Sequence, residues 1–79
     1  MKEFDIRLRS VQDVHDFVNL VSSKPFTILV CDGYCRVNGK SFTEMFSLNF
    51  NNQLRVMSEG YDWEYEQLLR DAQRFMVHY

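Results

Sequence analysis

The sequence predicts an α+β open-faced β-sandwich, in which a four-stranded antiparallel sheet carries three helices on one face in the order βαββαβα. Two observations lead there. Apolar residues alternate with polar ones over four short stretches and recur at helical spacing over three others. Each strand then has one wet face and each helix one apolar stripe, and laying all the stripes on one side of the sheet satisfies every element. The chain length supplies the third constraint: 79 residues support one buried core and not two. Residues 1–79 are therefore read as a single domain.

Phe4, Ile6 and Leu8 alternate with Asp5, Arg7 and Arg9, the period of a strand with one solvated face. Val14, Phe17, Val18 and Val21 then fall at i, i+3, i+4 and i+7, and Ser10 with Asp13 forms an S-x-x-D capping box, which predicts a helix from about Val11 to Ser22. Residues 26–31 are β-rich and end in Asp32-Gly33, a pair suited to a tight hairpin, so residues 34–37 return as the partner strand. A two-residue loop pairs Cys31 with Tyr34 and Val30 with Cys35, placing the two thiols on opposite faces. A three-residue loop sets the thiols face to face.

Ser41 with Glu44 forms a second capping box, and Met45, Phe46 and Leu48 behind it suit a short helix. Leu54, Val56 and Ser58 alternate with Arg55 and Met57 as the fourth strand. Tyr65, Leu68, Leu69, Ala72, Phe75 and Met76 keep helical spacing, with Asp62 able to cap the start, which predicts a last helix over about residues 63–77. Trp63 lies off that stripe and is expected to cover the end of the sheet.

Nine Lys and Arg against eleven Asp and Glu give a formal charge of −2. Nothing in that balance draws the chain to nucleic acid or to an anionic bilayer. Its apolar runs are far shorter than the ~20 residues of a spanning helix, and the opening Met1, Lys2, Glu3, Phe4 has no apolar signal region. The expectation is a cytoplasmic protein with no membrane insertion. Two cysteines are too few for a disulfide scaffold, and their C-x-x-x-C spacing beside only His15 and His78 matches no zinc pattern. Neither a metal nor another cofactor is expected.

The element order and the residues together resemble the HPr family, the small histidine-containing phosphocarriers of the bacterial sugar phosphotransferase system. The resemblance spans nearly the whole chain. Lys40-Ser41 followed by Met45, Phe46, Ser47 and Leu48 looks like the family's K-S-x-x-x-x-x-S-L segment, and Ser58, Glu59, Gly60, Tyr61, Asp62 looks like its A-E-G-x-D lead into the last helix. About two residues are missing between the second helix and the fourth strand. In the family, a G-[IL]-H-x-R-P-A segment precedes the first helix, and its histidine accepts a phosphoryl group that the arginine supports. Here the histidine position falls at Ser10, the arginine at Gln12 and the proline at Asp13. His15 is a different position, inside the helix.

Phosphoryl carriage between proteins needs an imidazole nucleophile, helix-end N–H groups and a cation. Ser10 would form a far more inert ester, Gln12 brings no charge, and Asp13 sets a carboxylate where the phosphate would sit. The resemblance therefore implies a non-enzymatic HPr-like protein that is not a competent phosphohistidine carrier and has a regulatory or protein-binding role, with phosphotransferase-system components or a regulator as partners. In the family an exposed apolar patch around the second helix docks partners, which makes Phe42, Phe46 and Lys40 candidate contacts. Ser41 falls where many Gram-positive members carry a serine phosphorylated by a regulatory kinase, and is the candidate modification site. The alternative is an active phosphocarrier or phospho-switch working through Ser41, Ser10 or His15. A third possibility is redox or metal chemistry at Cys31 and Cys35. The blander readings make Ser10 and Ser41 plain N-caps, His15 a surface residue, and the cysteines packing or surface thiols.

Overall fold

The computed structural model describes residues 2–77. His78, weighed above as a metal ligand, lies outside the described residues. The elements are β1 (Lys2–Ile6), α1 (Val11–Ser22), β2 (Ile28–Cys31), β3 (Arg36–Asn38), α2 (Phe42–Met45), β4 (Leu54–Ser58) and α3 (Asp62–Asp71), followed by a 3₁₀ turn, Gln73–Phe75. The four strands form one antiparallel sheet in the order β1-β4-β2-β3. This is the open-faced α+β sandwich that the alternating patterns predict.

Alternation decides which side of the sheet is covered. Phe4, Ile6, Ile28, Val30, Leu54 and Val56 are buried, and against them lie Val14, Phe17, Val18 and Val21 of α1, Met45 of α2 and Leu68 of α3. On the other face Arg55 forms ion pairs with Glu3 and Asp5 of β1, each at 3.3 Å. β1 stops at Ile6, short of Leu8, yet Leu8 stays buried. β2 likewise starts two residues after Phe26, whose ring packs half-buried against the core.

The turn between β2 and β3 corrects the expected register. Val30 pairs with Val37 and Cys31 with Arg36, so the connection is residues 32–35 and neither the two-residue nor the three-residue loop forms. The reason is the Asp32 side chain. Its Oδ1 accepts from the N–H groups of Tyr34 (2.9 Å) and Cys35 (2.8 Å), closing a wider turn on itself, with Gly33 at φ +101°. Cys31 faces the side shared with Arg36, and Cys35 precedes Arg36 by one residue. Cys35 lies in the turn and is exposed, so neither expected placement of the two thiols across a strand pair applies.

The last helix is shorter than its apolar spacing suggests. α3 ends at Asp71, and the chain then tightens into the 3₁₀ turn, where Phe75 meets the Phe17 ring edge-on at 5.8 Å. Beyond it, Met76 bridges to Ile6, the Arg7 N–H donates to the Phe75 carbonyl (2.7 Å), and the Val77 N–H donates to the Asp5 carbonyl (3.1 Å). Residues 75–77 therefore pair with the end of β1 on its outer edge, a pairing that i, i+4 spacing cannot signal. The start of α3 also differs: Tyr61, not Asp62, is the N-cap, and the Glu64 carboxylate accepts from the Tyr61 N–H at 2.9 Å. Asp62 is engaged instead by Lys2. Trp63 is 65% exposed and does not cover the sheet.

Candidate functional site

The loop entering α1 and the loop leaving α2 come together at one end of the molecule. Between them lies an open groove of about 670 Å³. Buried Leu8 and Val14 form its floor, exposed Val11 and Phe46 its sides, and Arg7 and Arg9 stand at its rim. Phe46 contacts Phe50 edge-on, with ring centres 6.3 Å apart. Among the described residues, the Arg9 guanidinium has no ion-pair or hydrogen-bond partner, whereas Arg7 donates to the Asn51 carbonyl at 3.3 Å.

Ser10 closes the groove at the start of α1. Its backbone is extended (φ −153°, ψ 166°), and its Oγ accepts from the Asp13 N–H at 3.1 Å, the geometry of an N-cap. The Asp13 carboxylate does not return to Ser10. It reaches one residue further, accepting from the Arg9 N–H at 3.0 Å, and its other oxygen accepts from Arg74 at 3.1 Å. Arg74 also pairs with Asp16 and lies over the Phe75 ring at 4.6 Å, so the C-terminal turn braces the opening of α1. Gln12 donates to Asp16 at 2.9 Å. Ser10, Gln12 and Asp13 are thus all bound within the chain's own network.

His15 is exposed on α1 and stands over α2, its ring 4.7 Å from that of Phe42 and 6.2 Å from that of Phe46. Ser41 caps α2 with its Oγ accepting from the Glu44 N–H at 3.3 Å, and its own N–H donates to the Asn38 carbonyl at 3.1 Å. Ser41 as a whole is half-buried. Lys40 turns inward: its ammonium donates to the Lys24 carbonyl at 2.6 Å, just past the end of α1, where a cation complements the helix dipole. Phe42 and Phe46 share one patch with His15, and Lys40 is not brought to it. Cys31 is half-buried, Cys35 is exposed, and both are free thiols. Among the described residues no three His, Cys, Asp or Glu side chains gather as metal ligands. No described helix is long and apolar enough to cross a membrane.

Sequence reasoning treated Asp32 only as part of a turn. The residue is 8% exposed, and its Oδ2 accepts from the Asn49 N–H at 2.9 Å, across 17 residues. The N–H groups of Cys35, Asn49 and Tyr34, in that order of effect, hold this carboxyl below its ordinary value. An Asp-Gly pair announces a turn, but no local signal foretells the reach to Asn49. Arg74 was missed for the same reason, since its partners Asp13 and Asp16 lie on the opposite end of the chain.

No protein-family model and no curated protein matches the sequence. Among solved structures, the crystal structure of HPr-C-His from Thermoanaerobacter tengcongensis is similar, with a TM-score of 0.74 at 28% identity, over 91% of this chain and 90% of that one. The fold is HPr-like. Within the HPr-like fold, the groove falls between the start of α1 and the loop after α2, and Ser10 lines its α1 side.

Proposed function

We propose that this chain is an HPr-like protein that docks a protein partner at the groove beside α1 and α2 and does not carry a phosphohistidine. The observation that carries the reading is the Asp13 carboxylate. It occupies the opening turn of α1, satisfied by the Arg9 N–H and by Arg74. A phosphoryl group brought there would meet a fixed negative charge, a serine hydroxyl in place of an imidazole, and a glutamine in place of a supporting cation. The apolar surface of Val11, Phe46 and Phe42, with Arg7 and Arg9 at the rim, suits a partner segment that joins an apolar side chain to carboxylates. In this reading the protein is not an enzyme, and it acts in the bacterial cytoplasm with or beside phosphotransferase components of sugar transport.

Incubation with phosphoenolpyruvate and the system's first enzyme tests the reading. No acid-labile phosphate is expected on the chain; label on any histidine overturns it. Titration of the isotope-labelled chain with the same enzyme should shift the signals of Val11, Phe42 and Phe46.

A second reading makes Ser41 a phosphorylation switch. Ser41 stands at the N-terminus of α2 with its hydroxyl bound to the Glu44 N–H. A phosphate there would gain from the helix end and lose against Glu44 in the same turn. Exposure to the HPr kinase should add one phosphate to the parent chain and none to Ser41→Ala. No mass gain on the parent removes the switch.

A further inference from the structure

We infer that Asp32 is a positioning residue for the docking groove: its carboxylate, set in the β2–β3 turn, fixes the part of the wall formed by Phe50 and Asn51 through one hydrogen bond to the Asn49 N–H. The use of that wall for docking rests on the reading above; the positioning itself does not.

The loop between α2 and β4, residues 46–53, has no regular structure to hold it. Its internal bonds converge on Asn49. The Asn51 N–H donates to the Asn49 Oδ1 at 3.0 Å, and the Asn52 N–H donates to the Asn49 carbonyl at 3.3 Å. What fixes Asn49 therefore fixes the residues on either side of it. Phe46, Ser47 and Leu48 are bonded to α2, and Gln53 donates to Asp5 at 2.8 Å. Between them, over residues 49–52, two polar ties reach the rest of the chain: Arg7 to the Asn51 carbonyl, long at 3.3 Å and exposed, and Asp32 to the Asn49 N–H, 2.9 Å and part-buried. The second is the stronger, because an ionised acceptor binds an N–H more tightly than a neutral carbonyl accepts from a donor at a longer, exposed contact. Asp32 is also aimed in advance. Its Oδ1 is committed to the Tyr34 and Cys35 N–H groups, which leaves Oδ2 pointing at Asn49.

Asp32→Asn separates the two tasks. The amide keeps its shape and one acceptor for the turn, but it sets an NH₂ group against the Asn49 N–H. In the full-length isotope-labelled chain, amide exchange at Asn49 and Asn52 should accelerate roughly 10-fold, with Val30 and Val56 unchanged within a factor of about two. Unchanged exchange at Asn49, or an equal loss of protection across the sheet, overturns the proposal. The parent chain offers a direct check that needs no variant. A scalar coupling across the hydrogen bond from the Asn49 nitrogen to the Asp32 carboxyl carbon is expected, and its absence overturns the proposal as well. If the parent chain fails to bind the phosphotransferase system's first enzyme, the docking reading falls, while the exchange and coupling results still decide the role of Asp32.

Discussion

Ser58 sits near the middle of the sheet, at the end of β4, in register with Lys2 on one side and Ile28 on the other. It is 2% exposed and faces the helices, and its Oγ has no hydrogen-bond partner among the described residues. The hydroxyl therefore loses its hydration on folding with nothing in return, at a cost of about 1–3 kcal/mol. Ser58→Ala removes that oxygen and keeps the Cβ that packs between the strands. The gap left behind is smaller than a methyl group, and at roughly 24 cal/mol per Å³ an oxygen-sized void gives back only about 0.3 kcal/mol. A net gain near 1 kcal/mol follows, which for a domain of this size raises the Tm by about 4–8 °C. Thermal unfolding followed by circular dichroism, with a urea titration to confirm an unchanged slope, measures it. A lower Tm for Ser58→Ala would refute the reasoning, because it would mean that the hydroxyl is hydrogen-bonded in the folded protein.

Ser10→Ala should destabilise the protein by about 1 kcal/mol through loss of the α1 cap, read as a lower urea midpoint; an unchanged midpoint removes the cap assignment. Gly60→Ala should cost about 1–3 kcal/mol, because Gly60 has φ +117° and an added Cβ would lie 3.0 Å from the Glu64 carboxylate and 3.2 Å from the Phe26 ring; a melt matching the parent contradicts this. The Asp32 carboxyl is held below its unfolded value by the Cys35, Asn49 and Tyr34 N–H groups, so in acid the unfolded chain binds the proton first. Its contribution is complete above the ordinary carboxylate range and is lost as the pH falls through the lowered folded value. The stability difference between parent and Asp32→Asn should shrink over that acid window, and a difference constant with pH would count against it.

What the sequence disclosed follows the reach of each interaction. The core of α1 was legible because Val14, Phe17, Val18 and Val21 repeat at the helical period, and all four are buried. Leu54 and Val56 were legible in the same way from the strand period. The end of α3 was not, since Phe75 and Met76 keep helical spacing and yet leave the helix to reach Phe17 and Ile6, contacts dozens of residues distant. The β2–β3 register was missed because Asp32 widened the turn by binding Tyr34 and Cys35, a choice between turn geometries that the Asp-Gly pair leaves open. At the site, Ser10 and Ser41 were recognisable from their capping partners three residues on. The inward course of Lys40 and the bracing of Asp13 by Arg74 depend on where separate elements meet.

The strip of chain that follows α3 has a bearing on how copies of the molecule behave toward one another. Val77 donates to Asp5, Arg7 just past β1 donates to Phe75, and Met76 bridges to Ile6, so the strip covers the end of a sheet edge that would otherwise be a template for strand-to-strand growth. The opposite flank is the three-residue β3, which displays the charge of Arg36. Crowded solutions of this protein thus meet one partly covered border and one short, cationic border, and a version cut after Asp71 would lose that cover together with the buried Ala72 and Phe75.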